Sequence, residues 1–313
     1  MAKLDEGAIS GTIDLQTKQP FEHHNQEWHG SLNIKSQYNN ANHHFGPRVA
    51  ATVSKNGKNL GALMSVLYSK VENVEQGYHT WQWTQANFAR KNIANTVDPK
   101  IASRLINAQG DERIFVPVGN SISAWGNKRE RFSLLNTLQW QAHNNLMIST
   151  NLLLGELNNN RTHYQIATAG SNGLIGDVNG SQQLTDATVI GNDLLYAQFG
   201  NLDLRTEHQR QLTTTHYYQG SILADIKLSP ALNTQLLLGK SNARFSAPLN
   251  DKIFLEAQGH QVSIDWRDQK HAVNTYGFDI TDPKYWSLMR SDVREDAFNN
   301  EHTSLKSDFT YTM

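Results

Sequence analysis

The sequence predicts an all-β protein that forms part of a transmembrane antiparallel β-barrel. Several segments alternate apolar and polar side chains over about ten residues, so one face of each strand suits lipid and the other suits water. The connections between these segments alternate between short turns and long segments, as in a barrel with one elaborated rim. All seven prolines lie outside the predicted strands, because proline lacks the backbone donor that a strand ladder needs.

The composition excludes several classes of protein. The 313 residues include 28 Lys and Arg against 29 Asp and Glu, so the basic excess that a nucleic-acid partner requires is missing. Cys is absent, which excludes disulfides and thiolate metal sites. No apolar run reaches the roughly 18 residues of a transmembrane helix, and the mean hydropathy is -0.57. A membrane barrel remains compatible with these values, because only alternate residues of its strands face lipid.

The first predicted strand, from Trp28 to Tyr38, shows the alternation most clearly. One face carries Trp28, Gly30, Leu32, Ile34, Ser36 and Tyr38, and the other carries His29, Ser31, Asn33, Lys35 and Gln37. Aromatic residues bracket the apolar face about ten residues apart. On a tilted strand this spacing matches the band of roughly 25 Å between the two aromatic girdles of a membrane barrel.

Seven further strands are predicted in chain order, which makes eight. Residues 48–55 and 60–71 flank a turn at 56–59, residues 131–141 and 146–157 flank a turn at 142–145, and residues 215–228 and 232–245 flank a turn at 229–231. The last strand covers residues 302–313. Between these hairpins we expect long loops at roughly 72–128, 158–213 and 246–300, all on the rim opposite the turns.

Four segments of the sequence resemble TonB-dependent receptors of the outer membrane. The run from Gly7 to Phe21, GAISGTIDLQTKQPF, is similar to the last strand of the plug domain of that family. Phe45–Arg48 resembles the opening of a barrel strand, and Phe199–Arg205 is also similar to the family. Asn274–Pro283 resembles a loop segment of the long-looped receptors. The order and spacing of these segments carry the resemblance.

The resemblance implies a 22-stranded barrel that is filled by an amino-terminal plug. Residues 1–21 would be the C-terminal end of the plug domain, and residues 22–313 the N-terminal portion of the barrel, with about eight of the 22 strands. No signal peptide or TonB box is recognisable, and we expect the chain to be a fragment of the receptor. The implied location is the outer membrane, and the implied partners are its lipid, a TonB-type energy-coupling protein that acts through parts missing from this chain, and a small nutrient ligand.

The implied function is ligand-gated, energy-coupled import of a scarce nutrient, such as an oligosaccharide or siderophore-bound iron. We expect no enzyme activity, no cofactor and no catalytic residue, because the sequence lacks a nucleophile elbow, a carboxylate pair on a recognisable frame and an HExxH helix. The alternative is a soluble β-rich carbohydrate-binding or adhesion module. Such a sandwich would bury its apolar faces against each other, whereas a barrel exposes them.

The aromatic residues of the long segments are the candidates for ligand contact. They are Tyr78, Trp81, Trp83, Trp125, Trp266 and Trp286, whose rings can stack on sugar rings. Trp81 and Trp83 share a face if their segment is extended, so they are the first choice, followed by Tyr78 and Trp125. The competing interpretation is that these rings pack the loops on one another or belong to a girdle.

Two other patterns predict no site. His23, His24, His29, His43 and His44 are attractive metal ligands, but their spacing lacks a ligand pattern, and polar loop or lumen residues are the better interpretation. Gly170, Gly173 and Gly176 lack the dinucleotide-binding spacing and indicate a flexible loop. We therefore predict no metal site and no phosphate-binding loop.

Overall fold

A computed structural model describes residues 18–22, 26–107, 109–169, 180–268 and 271–312. The described residues are mostly β-strand, which confirms the all-β prediction, and their strands form a single sheet of 13. The strands are β1 (Trp28–Asn39), β2 (His44–Asn56), β3 (Leu60–Thr80), β4 (Trp83–Gln85), β5 (Phe115–Pro117), β6 (Asn120–His143), β7 (Leu146–Ala167), β8 (Leu184–Ile190), β9 (Asp193–Lys227), β10 (Leu232–Asp265), β11 (Val273–Tyr276), β12 (Ser287–Asp292) and β13 (Asp296–Tyr311).

Helical structure is limited in the described residues. There is one α-helix, α1 (Pro99–Asn107), and single 3₁₀ turns lie at Pro20–Glu22, Arg90–Asn92, Gly110–Glu112 and Pro283–Tyr285. None of these helices is long and apolar enough to cross a membrane.

The sheet is an open antiparallel wall. Its principal strands follow the order β1-β2-β3-β6-β7-β9-β10, and β13 pairs with the first half of β10. Every neighbouring pair along this path is antiparallel. Within the described residues, β1 pairs only with β2 and β13 pairs only with β10, so the wall has two edges.

The principal strands extend much further than the alternation of the sequence predicts. Residues 72–128 and 158–213 were expected to be loops, but β3 runs on to Thr80, β6 starts at Asn120, β7 ends at Ala167 and β9 starts at Asp193. Likewise β10 continues to Asp265. The ladder persists because each extended strand pairs with an equally long neighbour, for example β3 with β6 over 21 residues of β3. The expectation that every proline lies outside a strand is wrong at three positions. Pro47 lies within β2, Pro117 ends β5, and Pro248 lies within β10, where the register with β9 shifts between Ser246 and Leu249.

One face of the wall carries a continuous apolar belt, as the alternation predicted. Strand pairing places Leu32, Ala51, Val66, Leu134 and Leu154 side by side across five strands. The apolar belt is exposed: Leu32 and Ile34 are 67% and 70% accessible. Aromatic residues lie at its two margins. One margin carries Tyr38, Phe45, Phe132 and Tyr218, and the other, near the short turns, carries Trp28, Trp140 and Tyr311.

The apolar belt runs obliquely to the strands. Asn33 lies on the polar face at the height of the belt's centre on β1, and successive pairings place it level with Asn300 on β13. On β13, however, the belt lies between Leu305 and Tyr311. Between β1 and β13, which are seven strand spacings or roughly 34 Å apart, the centre of the belt is displaced along the strands by about eight residues, or roughly 27 Å. The strands are therefore tilted by roughly 40° from the perpendicular to the belt.

The three long connections pack together into one body, which we call the cap. It covers the end of the wall opposite the short turns and has its own core of buried side chains. The fully buried members include Ile114, Val116, Leu184, Leu194, Phe199, Leu202 and Ile264. Helix α1 joins this core through Ala102 and Leu105, and the carboxylate of Asp98 caps it by accepting from the backbone N–H of Lys100 at 2.8 Å.

The chain segment before β1 contacts the polar face of the wall, the face opposite the apolar belt, near the short turns. Pro20 is buried, and the backbone N–H of Phe21 donates to Oε1 of Gln139 at 3.0 Å. A Cβ atom on Gly61 would come within 2.7 Å of Cβ of Pro20, so glycine is needed for this close approach. Of the predicted plug run, residues 7–21, positions 7–17 lie outside the described residues, and its end from Pro20 belongs to a 3₁₀ turn.

Candidate functional site

The cap contains a cavity of about 410 Å³ that is walled by aromatic residues, which we call the aromatic pocket. Its lining residues come from five segments of the chain, and they are Tyr78, Thr80, Trp83, Phe115, Asp193, Leu195 and Trp266. Two of the four residues predicted to contact ligand, Tyr78 and Trp83, therefore line one cavity. Trp266, which the sequence also singled out, completes its wall.

Short strands of the cap bring the lining residues together. β4 and β5 pair antiparallel, with Trp83 opposite Pro117. β5 makes a parallel bridge to the start of β9, where Phe115 lies opposite Asp193, and the N–H of Phe115 donates to the carbonyl of Asn192 at 2.7 Å. Residues far apart in sequence are thus fixed by backbone hydrogen bonds, which makes the pocket a preformed site.

Two tryptophans form a rigid corner of the aromatic pocket. The rings of Trp83 and Trp266 meet edge to face, with centroids 6.2 Å apart, a preferred aromatic geometry. Trp266 is 3% exposed, and its backbone N–H donates to the carbonyl of Leu195 at 2.8 Å. Trp83 is 37% exposed, so part of its ring surface is open to a ligand.

Asp193 supplies the ionisable group of the aromatic pocket. Its side chain is exposed, and its carboxylate has no hydrogen-bond or ion-pair partner in the described part of the chain. A carboxylate beside open aromatic rings accepts hydrogen bonds from hydroxyl or ammonium groups of a ligand whose apolar face lies on the rings. The arrangement is suited to binding.

Trp81 lies outside the lining of this pocket and has a packing role. Its ring covers Gly119, where a Cβ atom would come within 2.6 Å of the indole. The indole N–H donates to Oγ of Ser121 at 3.3 Å, and the guanidinium of Arg205 lies 5.7 Å from the ring centroid. Trp81 and Trp83 were expected to share one ligand-binding face. Instead, the ring of Trp81 packs on Gly119, and only Trp83 lines the aromatic pocket.

Trp125 lies on the polar face of β6, within a strand where a loop had been expected. Its ring is stacked on the ring of His163, with centroids 3.5 Å apart, and the guanidinium of Arg161 lies 3.9 Å from it. His163 is 4% exposed and its Nδ1 lies 3.8 Å from Glu207, which also binds Nζ of Lys252 at 2.9 Å. Burial lowers the pKa of His163, although the charge of Glu207 opposes this effect. Trp125 is therefore engaged in a buried polar cluster.

The other long-segment tryptophan also has a packing role. Trp286 donates its indole N–H to the carbonyl of Ile280 at 3.0 Å and packs against the core of the cap.

A larger cavity of about 1030 Å³ adjoins the aromatic pocket, and Tyr78 belongs to both linings.

The histidines do not gather in the described part of the chain. No group of three His, Asp or Glu side chains suited to a metal ion occurs among the described residues. His44 lies 3.4 Å from Glu72, and Nδ1 of His43 is 2.9 Å from the hydroxyl of Tyr38. His23, His24 and the glycines at 170, 173 and 176 lie outside the described residues.

Sequence reasoning missed four residues of the pocket lining, which are Thr80, Phe115, Asp193 and Leu195. Asp193 comes directly after the turn residues Gly191 and Asn192, and Gly191 has a positive φ of 60°. This Gly-Asn pair is a sequence signal for a sharp chain reversal before Asp193. Nothing in the local sequence indicates that this turn meets β5.

No family model, no curated protein and no solved structure matches this chain.

Proposed function

We propose that this chain is part of an outer-membrane transport receptor of the TonB-dependent type, which captures a small solute in its cap and passes it along its polar face. The observation that carries the proposal is the oblique apolar belt. A tilt of roughly 40° agrees with the 35–45° of strands in membrane barrels. A soluble wall has no reason to expose a level apolar band across tilted strands.

The aromatic margins of the apolar belt support a membrane location. Trp28 and Tyr38 are ten residues apart on β1, which corresponds to roughly 25 Å of height at this tilt. That height equals the apolar band of outer-membrane barrels, where aromatic rings lie at both interfaces. The polar opposite face and the short turns at one rim fit the same architecture.

The aromatic pocket favours a saccharide as the captured solute. Sugar rings have apolar faces that stack on exposed indole rings, and their hydroxyl groups donate to carboxylates. Trp83 and Asp193 offer these two features on one side of a cavity. The mechanism is binding followed by gating, without covalent chemistry.

The contact between Phe21 and Gln139 supports the proposed position of a plug. It holds the segment before β1 against the polar face at the short-turn rim, which is where a domain inside a barrel would join the wall. An energy-coupling partner would act on that domain from the same rim.

The alternative, a soluble carbohydrate-binding or adhesion module, is less well supported. A sandwich requires a second sheet to cover the apolar faces. The strands of the described residues belong to one sheet, and its apolar belt stays exposed, with Ile222 on a central strand at 50%. The aromatic pocket alone would suit either function.

Spin-label accessibility tests the membrane part of the proposal. Because the sequence has no Cys, single-cysteine variants carry one label each. We would label I34C and I222C on the belt and N33C and S221C as adjacent controls on the polar face, after refolding the chain into phosphatidylcholine vesicles. Labels on the belt should collide with oxygen, which partitions into lipid, and labels on the polar face with a water-soluble nickel chelate.

The proposal fails if both members of each pair report the same environment, or if the chain does not associate with the vesicles. A sandwich would instead protect I34C and I222C from both reagents.

A further inference from the structure

Four cations gather on the polar face of the wall, at a distance from the aromatic pocket. Lys35 on β1 lies opposite Arg48 on β2, and Arg48 lies opposite Ser69 on β3, which in turn lies opposite Arg131 on β6. Three of the cations, together with Ser69, therefore form one row across four strands. Arg129 lies two residues further along β6 and points to the same face.

These cations line one cavity of about 440 Å³. Its lining includes Lys35, Arg48, Arg129 and Arg131 together with the polar side chains of Gln37 and Ser69, and it contains no acidic residue. Directly paired residues on one face have Cβ atoms about 5 Å apart, and every cation is within about one Debye length of its neighbour. Four positive charges are thus concentrated in one concave site.

The glutamates closest in sequence to these cations on β3 and β6 lie on the opposite face of the wall. Glu72 on β3 binds Nζ of Lys128 at 3.1 Å, and Glu130 on β6 accepts from the hydroxyl of Tyr68 at 2.6 Å. By the alternation of side chains along a strand, both glutamates lie on the face that carries the apolar belt, between the belt and the cap. On the polar face of β3 and β6 the nearest carboxylate is that of Glu75, four residues beyond Val71, the partner of Arg129.

The four cations have no ion-pair or side-chain hydrogen-bond partner among the described residues. Elsewhere on the wall, cations with acidic neighbours are paired, as Lys240 is with Glu301 at 2.6 Å. Like charges that lie together without counter-charges repel each other, so an anion bound among them would relieve that repulsion. Arginine is also the side chain best suited to grip phosphate or carboxylate oxygens with two parallel hydrogen bonds.

We propose that Lys35, Arg48, Arg129 and Arg131 form an anion-binding site on the polar face, which takes a solute bearing at least two phosphate or carboxylate charges. This site is independent of the aromatic pocket and of the saccharide proposed for it. If the wall belongs to a barrel, the site lies on the inside, on the path of a solute from the cap to the short turns.

Calorimetric titration of the full chain, refolded in a zwitterionic detergent, tests this site. The probes are inorganic pyrophosphate and citrate, with the uncharged ester trimethyl citrate as the control. Both anions should bind at 50 mM NaCl and bind more weakly at 500 mM NaCl, because salt screens the cations. Removing Arg48 and Arg131 together, as R48Q/R131Q, should weaken binding by about tenfold for each arginine lost.

The matched control is R210Q, which removes an exposed arginine from the opposite face of β9. It should leave the affinity for both anions unchanged. Each variant must keep the urea midpoint of the unaltered chain, and K35Q/R129Q provides a second double variant if R48Q/R131Q fails to fold.

Absence of binding by both anions, or binding that survives the double variants, overturns the assignment. Tight binding of pyrophosphate without binding of citrate supports the assignment of the site and restricts the class of solute to phosphates. Neither result bears on the binding of saccharides in the aromatic pocket, so failure of the two proposals can be told apart.

Discussion

The backbone N–H of Phe21 donates to Oε1 of Gln139 at 3.0 Å, although 118 positions of sequence separate the two residues. Gln139 is itself buried and donates to Oγ of Ser149 at 3.2 Å, so the acceptor is held in place by the neighbouring strand. The segment that leads into β1 is therefore fixed to the polar face rather than free to swing. Its attachment depends on the space above Gly61.

Replacing Gly61 by Ala should loosen this attachment. The new Cβ would come within 2.7 Å of Cβ of Pro20, so the segment must lift away and lose the hydrogen bond, at a cost of about 1 kcal/mol. Trypsin cleavage after the exposed Lys18 should become faster. G77A on the same strand is the control, because nothing lies within 4 Å of its added Cβ. Equal cleavage rates in both variants would contradict the contact.

Placing Arg on the apolar belt should destabilise the chain in vesicles. L32R and I222R each put a charge on a face that we assign to lipid, which costs about 2–4 kcal/mol near the bilayer midplane and should block membrane assembly. N33R puts the same side chain on the polar face and should be mild. The measurement is the free energy of unfolding from vesicles in urea. Similar losses on the two faces would refute the register described above.

Replacing Trp83 by Ala should weaken saccharide binding in the aromatic pocket. The variant loses the open ring surface beside Trp266, and we expect a loss of about tenfold or more in affinity. D193N should weaken binding less, because an amide oxygen still accepts a hydrogen bond. Binding to an oligosaccharide array measures both effects. W140A, which removes a comparably exposed indole at the opposite end of the wall, should bind normally; a loss there would point away from the pocket.

Acid should destabilise the cluster around His163. Burial lowers the pKa of His163 below its ordinary value of 6.5, so the unfolded chain takes up a proton at a higher pH than the folded chain does. The stabilising effect of the neutral imidazole is present above about pH 6.5 and is lost as the pH falls through the folded pKa. Arg161 and Lys252 oppose protonation, while Glu207 favours it.

The measurement is the urea midpoint at pH 7.5 and pH 5.5. The decrease between them should be smaller in H163Q than in the unaltered chain, because glutamine does not titrate. If both proteins lose the same stability, His163 does not contribute to the pH dependence.

Alternation predicted the strands where one face is apolar and failed where both faces are polar. Asn158, Asn159 and Asn160 continue β7, and Thr213 and Thr214 continue β9, yet neither run has an apolar face. Their strand structure follows from backbone pairing with neighbours, as between Asn158 and Thr214. A pattern that measures only side-chain polarity cannot detect such pairing.

The helix carries local sequence signals, whereas the pocket is encoded only in part by its local sequence. Asp98 before Pro99 is a recognisable start signal, followed by Ile101 and Leu105 four residues apart, so α1 was predictable from its sequence. The aromatic pocket was only partly predictable. Tyr78 and Trp83 stand out by residue type, whereas Asp193 and Phe115 become neighbours through a bridge between β5 and β9 that no local pattern encodes.

The two edge strands that lack a second partner among the described residues run in opposite directions, since β1 runs toward the cap and β13 away from it. A second copy of the chain can therefore place its β13 beside β1 of the first and continue the antiparallel alternation, with all short turns still on one rim. Nothing in that geometry limits the number of copies. A preparation of the isolated chain should consequently grow into ribbons unless lipid, detergent or further strands cover the edges.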